Sequence, residues 1–394
     1  MKILQNINYT ILSGFLLAFY IAYSIMGDNQ SMASNLITMS FVYVFGLFFL
    51  NRRYNYSKEY TNILYWCIPL VFINVTLSGF GGFDYYKKAI MFTTTLLWIV
   101  YTCNTTITKK TAYIICLIML ALNISYQFFY ESGLAIYEGE ALLYLGFTNP
   151  NLAGMYILNS MLYLGILIVA GRELFSKKKW YFVHVAVSIF VLFTTFGLLM
   201  LTGCRSAILS LIAFGVLVVA DFFFLQKIKP RKWICYLIAI APLLFVFFYV
   251  FYIKTLDVNV SFGLEDAGKS STTRLKIWSP LVDNFFHFLI YGDYYGISNG
   301  TGFSQMHNTH FDVYASYGII PLMLYMSLLA KVIWNTWSRA ASRFQRCSVY
   351  AFVATFIVST FEAGFVAGSA GLFLLTCGFL ILSNTQTDEN PTNK

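Results

Sequence analysis

Two histidines three residues apart, His307 and His310, close a long polar stretch in a chain that is otherwise strongly apolar. Imidazole titrates near neutrality, so a histidine within reach of water can take a proton from a hydroxyl as a general base. His307 is the candidate for that work. Asn308 adjoins it, and on a helix His310 and Phe311, three and four residues on, would share its face. Asp312 would then point to another side. A His-x-x-His pair also suggests zinc, but helical zinc pairs are usually spaced by four and need a third, supported ligand. No such ligand is legible, and no metal is expected. The second group of interest is cationic. Arg205 lies in Leu201-Thr202-Gly203-Cys204-Arg205-Ser206-Ala207, a turn so short that the flanking apolar stretches almost touch. A charge there is costly without a partner or a wet cavity. A guanidinium binds phosphate oxygens as a bidentate fork, so Arg205 is a candidate cation for an anionic, lipid-linked ligand. Arg274 and Lys276, in Thr272-Thr273-Arg274-Leu275-Lys276-Ile277-Trp278, could serve the same cleft. Snorkelling of these cations to lipid headgroups is the simpler alternative and stays open. Glu362, inside an apolar stretch, is expected beneath the cleft as the partner of an arginine.

The elements that must carry these residues are membrane helices. Of 394 residues, 58% are hydrophobic and only 11% charged, less than half the share usual in soluble domains. No stretch alternates like an outer-membrane strand. About twelve apolar spans near the length of a bilayer core are predicted: 8–26, 35–50, 63–80, 89–104, 112–129, 152–171, 181–203, 206–225, 234–253, 319–337, 349–368 and 370–384. The first lacks a small-residue cleavage site and reads as a retained helix. Every second connection is basic, as in Lys177-Lys178-Lys179 and in Lys227, Lys229, Arg231 and Lys232. The acids gather on the opposite side, among them Glu138, Asp257, Glu265 and Asp293. This positive-inside pattern predicts both termini in the cytoplasm and the polar stretch 254–318 outside, as one large loop. The fold class expected is therefore an all-α, polytopic helix bundle, residues 1–394 forming a single transmembrane domain. Within the loop, an amphipathic interfacial helix opens at Arg274, with Ile277, Trp278, Leu281, Phe285 and Phe288 as its lipid-facing stripe. Asp221, near a cytoplasmic span end, is expected to reach water.

Other classes lose support. The net charge of +9 is concentrated in short cytoplasmic loops that meet anionic headgroups, so nucleic acid is not an expected partner. The seven cysteines lie in or beside spans without metal-ligand spacing and read as packing residues. No phosphate-binding glycine loop points to a nucleotide. A flippase or secondary transporter would also have many spans, but two similar halves and midplane charges are expected there, and no internal repeat is visible.

Three segments resemble the O-antigen polymerase and O-antigen ligase superfamily. Phe147-Thr148-Asn149-Pro150-Asn151-Leu152-Ala153-Gly154 is similar to its Asn-Pro-Asn segment entering a mid-chain helix, and Thr202 to Ala207 to its Arg-Ser segment between adjacent helices. His307-Asn308, nine residues and then Gly318-Ile319-Ile320 resembles its loop-to-helix histidine motif. Pro321 stands where ligases often carry a second glycine. The resemblance implies a glycosyltransferase of the bacterial cytoplasmic membrane, acting on the extracytoplasmic face with an undecaprenyl-diphosphate-linked glycan donor and a glycan acceptor. It implies no metal, nucleotide or other cofactor. His307 would be the base. Arg205 and Arg274, with Lys276, Asn308, His310 and Glu362, would line the substrate site. A polymerase of repeat units, for O-antigen or capsule, is favoured over a ligase that transfers the glycan to lipid A-core or another acceptor. A chain-length regulator is a possible protein partner.

Overall fold

The computed structural model describes residues 58–78, 83–131, 133–137, 140–145, 150–175, 178–256, 267–293, 306–362 and 370–386. Twelve α-helices stand among them: α1 (Lys58–Leu77), α2 (Phe83–Asn104), α3 (Lys109–Phe129), α4 (Pro150–Ala170), α5 (Lys178–Leu201), α6 (Arg205–Phe223), α7 (Lys232–Leu256), α8 (Ala267–Asp283), α9 (Thr309–Tyr317), α10 (Ile319–Arg339), α11 (Arg343–Phe361) and α12 (Ala370–Ser383). A short antiparallel hairpin, β1 (Leu134–Tyr137) and β2 (Glu140–Leu143), lies between α3 and α4. Eight helices are long and apolar enough to cross a membrane: α1, α3, α4, α5, α6, α7, α10 and α11. The protein is a polytopic helical membrane protein. The predicted spans 8–26 and 35–50 lie outside the described residues, and each of the other ten coincides with a helix. Two of the twelve helices, α8 and α9, are not spans but parts of the predicted loop.

The most buried of the spanning helices are α4 and α11. Their apolar residues run all round, as expected of helices enclosed on every side. In α5, α6 and α7 only about a third of the residues or fewer are buried, and the exposed ones include phenylalanine, valine and leucine suited to lipid. With lipid as apolar as the core, small residues and buried hydrogen bonds hold such helices together. Ser160 Oγ donates to Asn123 Oδ1 at 3.2 Å, joining α4 to α3, and Thr376 Oγ1 donates to Asn159 Oδ1 at 3.0 Å, joining α12 to α4.

Two expectations are corrected by packing. Ile277, Trp278, Leu281 and Phe288 face protein rather than lipid, each at most 6% exposed. Trp278 lies edge-on to Tyr249 of α7, and its indole N–H donates to the Met306 carbonyl at 2.7 Å. The stripe is amphipathic because α8 roofs the bundle, a surface that a periodicity pattern cannot tell from a bilayer. Asp221 does not reach water: it is 1% exposed, and its carboxylate accepts Arg346 Nε at 2.8 Å, Arg346 Nη2 at 3.2 Å and Tyr350 Oη at 2.8 Å. A buried carboxylate needs such partners, and α11 supplies them.

Candidate functional site

The site is built where α11 stops. Its last helical residue is Phe361, so Glu362 is not inside the span as its apolar neighbours suggested, but in extended conformation at the helix end. Its amide still donates to Val358 O at 2.9 Å, while its side chain leaves the helix and becomes a junction. Glu362 Oε1 accepts Asn151 Nδ2 at 3.0 Å and Arg274 Nη2 at 3.3 Å, and Oε2 lies 3.1 Å from His307 Nδ1. Four segments distant in sequence thus converge on one carboxylate: the first turn of α4, α8, the turn before α9 and the end of α11. Arg274 is further held by the Phe361 ring, 5.6 Å from its guanidinium carbon, a cation–π distance.

His307 is not part of a helix. It has φ 46°, a left-handed conformation that a non-glycine residue adopts only when its surroundings enforce it. Asn308 is one enforcer. Its Oδ1 caps α9 by accepting Phe311 N–H at 2.9 Å, and both amide hydrogens are committed, to Pro242 O at 3.0 Å and Thr360 O at 2.9 Å. Thr309 Oγ1 adds a bond to the Glu362 carbonyl at 3.1 Å. Because a carboxylate only accepts, His307 carries its proton on Nδ1 when neutral, which leaves Nε2 as the acceptor. The side chain keeps 26% of its surface exposed, against 6% for Glu362.

The structure moves two of the predicted substrate contacts into the scaffold. His310, expected to share a face with His307, is fully buried. The helix starts only at Thr309, so the two histidines do not share a helical turn and the spacing rule does not apply. His310 Nε2 donates to Ala239 O at 2.7 Å, beside the interruption that Pro242 makes in α7. Burial pushes its titration down to about 4, against the pull of that carbonyl, so it is neutral at pH 7. Asn308 is likewise fully buried and fully bonded, and it shapes the turn instead of facing the cleft. Lys276 is exposed, two residues from Arg274 on α8 and hence on a different side.

Arg205 opens α6 with an exposed side chain. Its turn sits beside the junction: the buried Cys204 feels the charges of both Glu362 and Arg274. The approach of α4 to that turn leaves no room for a side chain at Gly154, where a Cβ would come within 2.4 Å of Cys204 Cβ. The three sequence segments that resembled one superfamily therefore meet in one place, although Phe147, Thr148 and Asn149 lie outside the described residues. Sequence reasoning missed two participants. Asn151 was legible only as part of the Asn-Pro-Asn segment, with no role attached. Asp312, 2% exposed, looked like an ordinary loop acid. Burial raises its carboxyl to about 6, opposed by Lys88, the Met306 N–H and His307. Among the described residues, no three histidine, cysteine, aspartate or glutamate side chains gather as metal ligands.

One carboxylate holding a histidine and an arginine, with a second arginine on the adjoining turn, suits a ligand that carries both an acidic group and a hydroxyl. Residues 189–326 match the model of a family described as O-Antigen ligase. The stretch runs from within α5 into α10 and contains Arg205, Arg274 and His307, while Asn151 and Glu362 lie outside it. A search of curated proteins finds no match. The bundle is that of a polytopic membrane protein, and over residues 189–326 the chain is similar to the O-antigen ligase family. The match agrees with the O-antigen polymerase and ligase superfamily, whose members are membrane glycosyltransferase-like enzymes that suggest lipid-linked glycan substrates.

Proposed function

We propose that the protein polymerises undecaprenyl-diphosphate-linked oligosaccharide repeat units at the outer face of the cytoplasmic membrane. The observation that supports this most is the Glu362 junction, which puts a proton acceptor and a phosphate-binding cation on one carboxylate. The acceptor hydroxyl gives its proton to His307 Nε2 as its oxygen attacks the anomeric carbon of the donor. The bond from that carbon to the diphosphate oxygen breaks on the opposite side, and the carbon inverts. Negative charge grows on the departing diphosphate, where Arg205 and Arg274 stabilise it in a partly dehydrated cleft. Glu362 holds the Nδ1–H tautomer and stabilises the imidazolium that forms, as carboxylates do for catalytic histidines. Orientation rests on the basic connections: the end of α11 lies on the side opposite to Arg231 and the α10–α11 arginines.

A ligase that transfers the finished glycan to another acceptor is the second reading, favoured by the description of the matched family. The two share a donor and differ in acceptor. The test uses purified protein in lipid with an undecaprenyl-diphosphate-linked repeat unit, no metal and no nucleotide. Glycan ladders are expected. His307→Ala should lower their rate by about 10²–10⁴, and Arg205→Lys should impair it because one ammonium cannot replace a fork. Undiminished ladders from His307→Ala would refute the base. No ladders, but transfer to an added lipopolysaccharide-core acceptor, would identify a ligase. Movement of intact repeat units without any transfer would mark a transporter.

A further inference from the structure

Glu362 has one more partner than the reaction above uses. Asn151, in the first turn of α4, donates Nδ2–H to Oε1 at 3.0 Å, the oxygen that also accepts Arg274 Nη2 at 3.3 Å. Oε2 is left to His307 Nδ1 at 3.1 Å. The terminal torsion of a glutamate is soft, so its backbone does not decide which oxygen meets which partner. Arg274 is a weak guide on its own. Its side chain is 23% exposed, and a guanidinium at the departing diphosphate turns its N–H groups to phosphate oxygens. Asn151 is shorter and uncharged, so an anionic ligand has less pull on it.

The turn that carries Asn151 is itself fixed against the other cation. Gly154, three residues on, shares its face of α4. It lies so close to the Arg205 turn that a Cβ would come within 2.4 Å of Cys204 Cβ and 2.8 Å of Thr202 Oγ1. Both neighbours are buried, and Thr202 Oγ1 accepts the Cys204 N–H at 3.2 Å. Beyond the turn, α6 is tied to α11 by Ser210 Oγ, which donates to the Ala354 carbonyl. One turn of α4 therefore touches both halves of the site, the Arg205 turn through Gly154 and the carboxylate through Asn151. We propose that Asn151 is a positioning residue: it holds Glu362 so that Oε2 faces His307, and from α4 it sets where that carboxylate stands relative to the Arg205 turn.

The inference rests on His307 and Glu362 acting as above, so it is tested without turnover as well as with it. Full-length protein carrying isotopically labelled histidine is studied in lipid bilayers by solid-state NMR, about two pH units above the ordinary imidazole value. The spectrum separates protonated from unprotonated ring nitrogens, and His307→Gln assigns the signal. The wild type should show one His307 tautomer, protonated at Nδ1. Arg274→Met should keep it, because Asn151 still holds Oε1. Arg274→Met with Asn151→Ala frees the carboxylate, and a mixture of tautomers should appear. In the glycan-ladder assay, Asn151→Ala alone should lower kcat and kcat/KM equally, by up to about 10², the cost of a reacting group misplaced by about 1 Å. A single Nδ1–H tautomer in the double variant would overturn the proposal, and so would its loss in Arg274→Met alone. A raised KM with unchanged kcat in Asn151→Ala would overturn it too, by making Asn151 a donor-binding residue. The expected tautomer pattern in a protein that makes no glycan would support the hold of Asn151 on Glu362 while refuting the glycosyltransferase reading.

Discussion

Glu362→Gln separates the shape of the junction from its charge. Three donors converge on two carboxylate oxygens: Asn151 Nδ2 at 3.0 Å, Arg274 Nη2 at 3.3 Å and the Nδ1–H of His307 at 3.1 Å. An amide of the same size offers one acceptor oxygen and one donor group. If its oxygen faces Arg274 and Asn151, its NH2 faces His307 and forces the proton onto Nε2, where the acceptor hydroxyl must deliver its own. A wrong tautomer of this kind costs about 10⁴ in rate in a comparable histidine–carboxylate pair. If the oxygen faces His307 instead, the NH2 opposes two donors. The guanidinium then loses a charge-assisted bond of about 1.5–3 kcal/mol and swings away from the cleft. Neither orientation satisfies the site, so the rate should fall by about 10²–10⁴ with little loss of fold. Initial rates of ladder formation in proteoliposomes measure this, with the apparent melting temperature as control. Glu362→Asp, charged but one methylene short, should lie between. A Gln variant within about threefold of wild type, well inside the range expected for a lost proton relay, would refute the junction.

Two further outcomes follow from the same region. The folded titrations of His310, lowered to about 4, and Asp312, raised to about 6, have opposite consequences in acid. His310 contributes stability that is present above its unfolded value near 6.5 and is lost as pH falls towards 4. Asp312 carries a penalty above 6 that is relieved as pH falls below it. Each is of the order of a few kcal/mol at full size and they act in opposite directions, so in the wild type they offset one another. Apparent melting temperatures between pH 7 and about 4.5 should therefore fall steeply in Asp312→Asn and hold or rise in His310→Gln; parallel curves would contradict the assignment. Gly318 has φ 83°, and a Cβ there would come within 2.4 Å of the Ile290 carbonyl oxygen. Gly318→Ala should destabilise the protein by at least about 1–3 kcal/mol and displace α9, measurable as a lower melting temperature and reduced His307 activity.

Much was legible in the residues before any coordinates. Composition alone demands a membrane bundle, since a chain with so few charges cannot clothe a soluble surface. Hydropathy placed a span on each of the described helices except α8 and α9, most within a few residues and α11 within seven, because a span's length is set by the bilayer and not by its neighbours. Candidate roles for His307, Arg205 and Arg274 came from residue type, as each is costly or idle without a partner. Tertiary structure decided which of these residues meet. Asn151, Arg274, His307 and Glu362 are separated by as many as 211 residues, and only the close approach of α4, α8, α9 and α11 makes them one site. It also reversed readings that depended on local periodicity. His310 was assigned to a helical face that begins two residues after His307, and the aromatic stripe of α8 to a lipid surface that proved to be protein. Periodicity states which residues share a side. What lies on that side is decided by packing, which in this chain turned an expected substrate-contact histidine into core and a span-end glutamate into the centre of the candidate site.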